Sequence, residues 1–452
     1  MTDQEYILEL ELKISVQAQR IEDLEGKILL LMDLVQKQGV KKDSHNSSMP
    51  PASDFVSKNR SLREPSDKKS GGQQGHKGTT LFQTAAPDEV ITLKNEVCTF
   101  CGTPLNDVVQ VLRVKRQVID IPPIQTIVKE YQQFSCQCPH CQTDQMAEFP
   151  KGVNAPVQYG ASIESLVSYF SVHQVVPFAR LKEIFGSVFG LNLSEGSIDN
   201  ILKRCSKKCN LVVERIKSEL CKSKVVGSDE TGMKVNGKKG WMWAWQNADN
   251  TLVICSDNRG SKTINDIWAN GFVNATHISD RWAAQLKVHA KGHQVCLVHL
   301  LRDLTYLEEL EGHYFATQFK ELIKEIFKLK HKSLEKNQAF WIGSNEIKDL
   351  QKKLKALLIV DINRTKQHKT SNFQKSMIKC QNYLMPCLLN LEVPPDNNAS
   401  ERAIRKIKIK QKISGQFKSG QDAFCRLSSV IGTLIKRKKD ILLLLNHIYL
   451  TT

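Results

Sequence analysis

Two cysteine pairs, Cys98-Thr-Phe-Cys101 and Cys138-Pro-His-Cys141, constrain this chain more than any other feature of it. Four thiolates delivered as two pairs can close one tetrahedral site, and zinc is the usual occupant when every ligand is sulfur. The intervening residues 102–137 contain strand-like stretches such as IQTIVKEYQQFSC. The expectation is a zinc-ribbon-like module over 86–150, with one structural zinc held by Cys98, Cys101, Cys138 and Cys141. Cys136 and His140 offer a further sulfur and a nitrogen, so the site is better fixed than its ligand set. Such a module can hold DNA, protein or only itself together. The chain has 13 cysteines and begins MTDQEYILELEL, acidic and without the apolar run of a secretory signal. Metal ligands and buried thiols in the cytoplasm are therefore expected rather than disulfides.

N-terminal to the cysteines, Ile7, Ile14, Ile21, Ile28 and Val35 recur at one heptad position and Leu10, Leu24 and Leu31 at another, with Gln17 interrupting the second. β-Branched residues at a and leucine at d favour a parallel two-stranded coiled coil. Residues 1–40 are thus expected to form an oligomerisation helix that makes the protein a homodimer or larger. Residues 41–85 are rich in Ser, Pro, Gly and Lys and poor in aromatics, which describes a flexible basic linker.

Beyond the cysteines the pattern turns helical. In PFARLKEIFGSVFGLNLSEGSIDNILKR, Leu181, Ile184, Phe185, Val188 and Phe189 line a first helix, Gly190 suits its C-cap, and Ser194 caps a second. A helix-turn-helix region over 155–220 follows, able to bring Ser197, Asn200, Lys203 or Arg204 into a major groove. From residue 222 strand-like segments appear, including VVGSDETGMKV, with Gly227 and Gly232 read as local breaks, and GWMWAWQN, whose three indoles share one face. A helical insertion is expected at about 300–390, inside an α/β domain spanning 221–440, before a C-terminal helix or tail at 441–452. Residues 401–439 are dense in Lys and Arg, with only Glu401 and Asp422 acidic, so Arg402, Arg405 and Lys408 are candidates to follow a DNA backbone. The whole chain carries +17, from 64 basic against 47 acidic residues, and no apolar run approaches a membrane span. A polyanionic partner fits that balance and a membrane does not.

The acids at strand positions need a reason. In-line displacement at a phosphodiester is assisted by paired divalent cations, and hard cations of that kind take carboxylate oxygens. Asp229 lies in VVGSDETGMKV, Asp280 follows ATHIS, and Glu401 opens the basic helix in DNNASERAIRKIKIK. Spacing alone does not make them converge. Glu230, beside Asp229, belongs to the other face of a regular strand and is left out of the ligand set.

In this order, GSDETGMKVNGKKGWMW, ISDRWAAQL, CLVHLLRDL and NNASERAIRKIKIKQKISGQFKSG resemble the blocks of DDE transposases of the insertion-sequence-66 family, C-type subunit. NSSMPPASD and GGQQGHKG resemble its linker signature, and the cysteine pairs its zinc-binding domain, so the likeness spans about residues 5–445. It implies an RNase H-like catalytic core in which Asp229, Asp280 and Glu401 bind two Mg or Mn ions. It further implies binding of terminal inverted repeats in double-stranded DNA, strand cleavage and transfer to target DNA, and accessory proteins of the same element. The setting implied is a bacterial cytoplasm, with association to the nucleoid. A DNA-binding scaffold without catalysis, or a nuclease without joining activity, are the rival readings. Cys296-Leu-Val-His299 resembles the C-x2-H signature between the second and third acids of several DDE families and is read as a structural tie. The chain departs from the family where Arg281 and Trp282 follow Asp280 in place of the usual Gly and Tyr. The 296–304 block also has fewer aromatic and arginine residues, with Arg302 keeping one basic position.

Overall fold

A computed structural model describes residues 13–28, 31, 42–43, 46–47, 75, 81–122 and 124–451. Residues 13–28 are helical (α1), with the seam residues Ile14, Ile21, Leu24 and Ile28 exposed; Ile7, Leu10 and Val35 lie outside the described residues.

The cysteine pairs sit on two turns of one design. In each, the second cysteine is followed by a residue of positive φ, Gly102 at 75° and Gln142 at 57°, and then by a threonine. The Gly102 N–H donates to Cys98 O (2.9 Å) and the Gln142 N–H to Cys138 O (2.8 Å), while the N–H of each first cysteine donates to the threonine carbonyl. Left-handed backbone there is easy for Gly102 and strained for Gln142. Short antiparallel strands β1 (Ser135–Gln137) and β2 (Asp144–Met146) flank the second turn.

Helices α2 (Ala161–Ser168), α3 (Phe178–Phe189), α4 (Glu195–Lys208) and α5 (Asn210–Cys221) follow. Gly190 ends α3 at φ 64°, and Ser194 Oγ accepts from the Ser197 N–H (3.0 Å) at the start of α4. Both caps fall where the sequence puts them.

A five-stranded sheet comes next, in the order β5-β4-β3-β6-β7. β3 (Val225–Val235), β4 (Lys238–Gln246) and β5 (Thr251–Ser256) form an antiparallel meander. Helix α6 (Ser261–Ile267) crosses to β6 (Phe272–Ser279), which lies parallel to β3; α7 (Ala283–Leu286) crosses to β7 (Ala290–Val295), parallel to β6. Gly227 and Gly232 do not break β3, which pairs continuously with β4 through both. Their use is close approach: a Cβ on Gly227 would lie 2.5 Å from Gln246 Nε2 and 2.6 Å from Ser400 Oγ.

Helices α8 (Leu297–Glu311), α9 (Tyr314–Glu335), α10 (Asn345–Leu358), α11 (His368–Cys380) and α12 (Pro386–Leu389) follow β7. They enclose their own apolar core, joined to the sheet by Ile278 and Val295. The basic helix α13 (Asn398–Ser414) then returns to β3, α14 (Gln421–Lys436) lies along β5, and α15 (Ile441–Thr451) closes the chain. Edge strand β5 is protected because the Val253 and Thr251 N–H groups donate to Ser429 Oγ (2.8 Å) and Thr433 Oγ1 (3.1 Å) of α14.

One core joins Phe185, Ile198 and Leu220 of the helices to Trp243, Trp245 and Phe272 of the sheet and to Leu427 and Tyr449 of α14 and α15. Trp243 and Trp245 are fully buried and stacked, with centroids 5.6 Å apart and planes at 7°. Each indole removes about 150–250 Å² from water, an upper estimate of roughly 4–6 kcal/mol. Among the described residues no helix is long and apolar enough to cross a membrane.

Candidate functional site

The register of the parallel strands aligns the first two acids. Val225 pairs with Thr276, Val226 with His277 and Gly227 with Ile278, so two further steps set Asp229 level with Asp280 on the neighbouring strand. Adjacent strands lie about 4.8 Å apart. Ser279 is level with Val295, and the next residue, Cys296, donates its N–H to Ser279 O (2.9 Å). Asp280 thus stands at the carboxyl end of the parallel pair, where open α/β sheets place their ligands.

Glu401 arrives from α13, and a buried polar chain brings it there. Asn397 Nδ2 donates to the Ser228 carbonyl (2.7 Å), Ser400 Oγ donates to Asn397 Oδ1 (2.6 Å), and Gln246 Nε2 donates to Ser400 Oγ (3.2 Å). Gly227 leaves room for this packing. The Asn397 N–H also donates to Cys296 Sγ (3.2 Å), and the Leu297 N–H to Pro395 O (3.0 Å). Cys296 therefore ties the ends of β6 and β7 to the start of α13. Burial pushes its thiol up to about 12, so it stays protonated.

Electrostatics place the acids in one neighbourhood. Burial first, then Glu230 and Asp280, with Glu401 adding, push the Asp229 carboxyl up to about 8; Lys408 opposes them. Lys408 follows Glu401 by seven residues, two helical turns, and shares its side of α13. Glu401 Oε1 is buried and has no hydrogen-bond partner among the described residues, and His299 Nε2 lies 3.6 Å from it. Three acids, with Lys408 beside them and a Glu401 oxygen that no described residue bonds, suit hard divalent cations. Cys296, His299 and Glu401 also bring their donor atoms within 4.8 Å of one another.

Glu230 takes the opposite face, as the period of a strand requires. Its Oε1 accepts from Arg259 Nε (2.9 Å) and its Oε2 from Gln285 Nε2 (2.7 Å). Sequence reasoning placed neither Arg259 nor Gln285 at this site. Arg281, one of the departures after Asp280, turns to the insertion, where it pairs with Asp303 and lies 4.8 Å from the Phe373 ring centroid.

At the knuckles, Cys101 and Cys141 each lie 3.2 Å from a threonine hydroxyl, Thr103 and Thr143. Those hydroxyls, then the threonine backbone and the partner cysteine, lower the Cys101 thiol and bring Cys141 down to about 7. Thiolate-favouring pairs suit a soft cation such as zinc. Among the described residues the four sulfurs are not gathered into one ligand-distance group; within each knuckle the two cysteines contact one another.

Of the candidate DNA contacts, Lys203 pairs with Asp199 (2.6 Å) and Arg204 with the buried Glu164 (2.6 Å), so both cations are engaged within the helical layer. Ser197 shares its hydroxyl with Ser194 (2.9 Å). Arg402, Arg405 and Lys408 are exposed on α13; Arg402 lies close enough to Lys436 to reinforce what burial does first, bringing that ammonium down to about 8.

Comparison with known proteins agrees with this layout. No curated protein matches the chain. The zinc-finger binding domain of transposase IS66 matches residues 95–142, which contain all four knuckle cysteines. The model described as Transposase IS66 family matches residues 156–424, from the helical layer through the sheet and insertion to α14. With well over half its length matched, and with the two domains in the family's order, the chain belongs to the IS66 transposase family.

Proposed function

We propose that the protein is a DDE transposase that binds the terminal inverted repeats of its insertion sequence, cleaves a DNA strand at the element's ends and joins the freed 3′-hydroxyl to target DNA. The observation that carries this reading is the alignment of Asp229 with Asp280 across β3 and β6, with Glu401 drawn in by α13. The strand order β5-β4-β3-β6-β7, three antiparallel strands followed by two parallel ones, supports an RNase H-like core.

In this reading Asp229, Asp280 and Glu401 hold two Mg or Mn ions, which when bound supply Lewis-acid activation of the phosphodiester. Lys408 and Arg405, exposed on the same helix as Glu401, neutralise phosphate oxygens of the DNA strand. Asp229 is half-buried, which weakens the screening of its charge by bulk water. Water attacks phosphorus in the first step and the 3′-oxygen leaves, taking a proton. That 3′-hydroxyl then attacks a target phosphodiester and displaces the target's own 3′-oxygen, so one ester is exchanged for another without a covalent enzyme intermediate.

Binding of the element ends is assigned to the helical layer and the zinc-binding module, with the structural zinc on Cys98, Cys101, Cys138 and Cys141. The exposed apolar positions of α1 support pairing of two copies through a coiled coil, which would hold two ends together. Accessory proteins of the same element, and a bacterial cytoplasm with nucleoid association, complete the proposal.

The test is an assay on DNA carrying the element's ends with Mg. Cleavage and joined product are expected from the wild type, and neither from Asp229→Ala, Asp280→Ala or Glu401→Ala. Cleavage without joining supports a nuclease; specific binding alone supports a scaffold.

A further inference from the structure

Both oxygens of Glu230 are occupied, yet its carboxylate is buried within electrostatic reach of Asp280. We propose that Glu230 is a positioning residue that fixes the Asp280 carboxylate through Arg259 and Trp282; this rests on Asp280 being a metal ligand.

The contacts run without a gap. Arg259 Nε and Nη2 reach Glu230 Oε1 at 2.9 and 2.8 Å. The guanidinium carbon lies 4.8 Å from the Trp241 ring centroid and 4.2 Å from that of Trp282, so the cation is held against two indole faces. Trp282 Nε1 donates to the Arg259 carbonyl (3.4 Å), and the Trp282 backbone N–H donates to Asp280 Oδ1 (2.8 Å). Glu230 also grips the far end of the same segment, since Gln285 Nε2 donates to its Oε2, and the Gln285 and Leu286 N–H groups donate to Trp282 O (3.0 and 3.1 Å). One carboxylate thereby holds residues 280–285 from both sides.

Asp280 needs such support because it follows the last residue of β6, where ladder hydrogen bonds end. The Trp282 N–H fixes one of its oxygens, and among the described residues none bonds the other. A buried ion pair often adds little stability over an apolar pair of similar size. Retaining one here is explained by the orientation it confers, as outer-sphere partners do at metal sites.

The full-length protein without DNA is titrated with Mn²⁺ by electron paramagnetic resonance, and end-DNA cleavage is measured against Mn²⁺ concentration. Glu230→Gln and Arg259→Lys are expected to weaken Mn²⁺ binding by about 10–100-fold. Half-maximal cleavage should shift to higher Mn²⁺ in step, with near wild-type cleavage at saturation. The double variant should be no weaker than the worse single one. Trp282→Ala, which alters a partly exposed residue and leaves the buried pair intact, should reproduce the shift even if Glu230→Gln folds poorly. Wild-type Mn²⁺ affinity in Arg259→Lys and Trp282→Ala would overturn the positioning role. Asp280→Asn separates the two ideas: its loss of binding and cleavage supports the site reading, and wild-type cleavage by it overturns that reading itself.

Discussion

The side-chain amide of Asn397 donates to the backbone carbonyl of Ser228 over 2.7 Å, joining the start of α13 to the residue just before Asp229. The same side chain accepts from Ser400, the residue just before Glu401. One buried amide therefore sets the distance between the first and third acids. Asn397→Asp keeps the acceptor, loses the donor and faces a carboxylate toward a carbonyl, whereas Asn397→Ala only empties the position. Leaving a buried acceptor unsatisfied costs about 1–3 kcal/mol. Strand cleavage is expected to fall at least tenfold in Asn397→Ala and further in Asn397→Asp. Equal activity of Asn397→Asp and wild type would show that this link does not set the site.

Gly227 is required by the same packing. A methyl there would meet Gln246 Nε2, Ser400 Oγ and Asn397 Oδ1 at 2.5, 2.6 and 3.1 Å, the atoms that bond one another to seat α13. Gly227→Ala is expected to destabilise by about 1–3 kcal/mol through overpacking, seen as a lower urea midpoint with an unchanged slope. Gly232→Ala, whose methyl would meet its nearest neighbour, the Trp241 ring, at 3.6 Å, should cost less. Reversal of that order would contradict the close approach.

The two acids at strands and the one opening a basic helix stand out in the sequence because each interrupts a local pattern, and the two-residue period of a strand sets Glu230 on the other face from Asp229. Their neighbours were not legible. Arg259 meets Glu230 across 29 positions, Gln285 meets it across 55, and Asn397 meets Ser228 across 169. No periodicity or spacing links residues that far apart; only the sheet order and the return of α13 do. Lys203 and Arg204 were sound as helix-surface cations, but Asp199 and Glu164 neutralise them. Gly227 and Gly232 read as breaks because glycine weakens an isolated strand, a cost that here makes room for a helix and a ring.

Stability should register the burial of Asp229 among like charges. Its pKa is about 8 in the folded, metal-free protein, above the ordinary value of 3.8, so the native state holds a proton that the unfolded chain gives up. The stabilisation from that proton is fully present below pH 3.8 and is lost as pH rises to about 8. Metal-free wild type should therefore melt at a lower temperature at pH 8 than at pH 6, and Asp229→Asn should narrow the difference. Relieving a strained site commonly gains about 0.5–2 kcal/mol, so Asp229→Asn should be the more stable protein at pH 8 while losing cleavage. Adding Mg should stabilise the wild type and not the variant. A melting temperature of Asp229→Asn at or below the wild type's at pH 8 would count against a carboxyl raised by burial and its acidic neighbours.

Zinc removal should separate the cysteine module from the rest. Neither apolar core contains a residue from 81–150, so the sheet and its helices do not depend on the knuckles for burial. Treating the protein with a chelator should leave the main calorimetric transition in place. It should also expose four reactive thiols, one of them with an apparent pKa of about 7 at Cys141. Thr143→Val removes the hydroxyl 3.2 Å from that sulfur and should raise its pKa and weaken zinc in competition with a chromophoric chelator. Thr103→Val should act the same way through Cys101. Cys141→Ser should release the metal, because three thiolates leave the tetrahedral site open. A main transition that falls with zinc removal would show that the module buttresses the core, and zinc retained by Cys141→Ser would point to Cys136 or His140 as the substitute ligand.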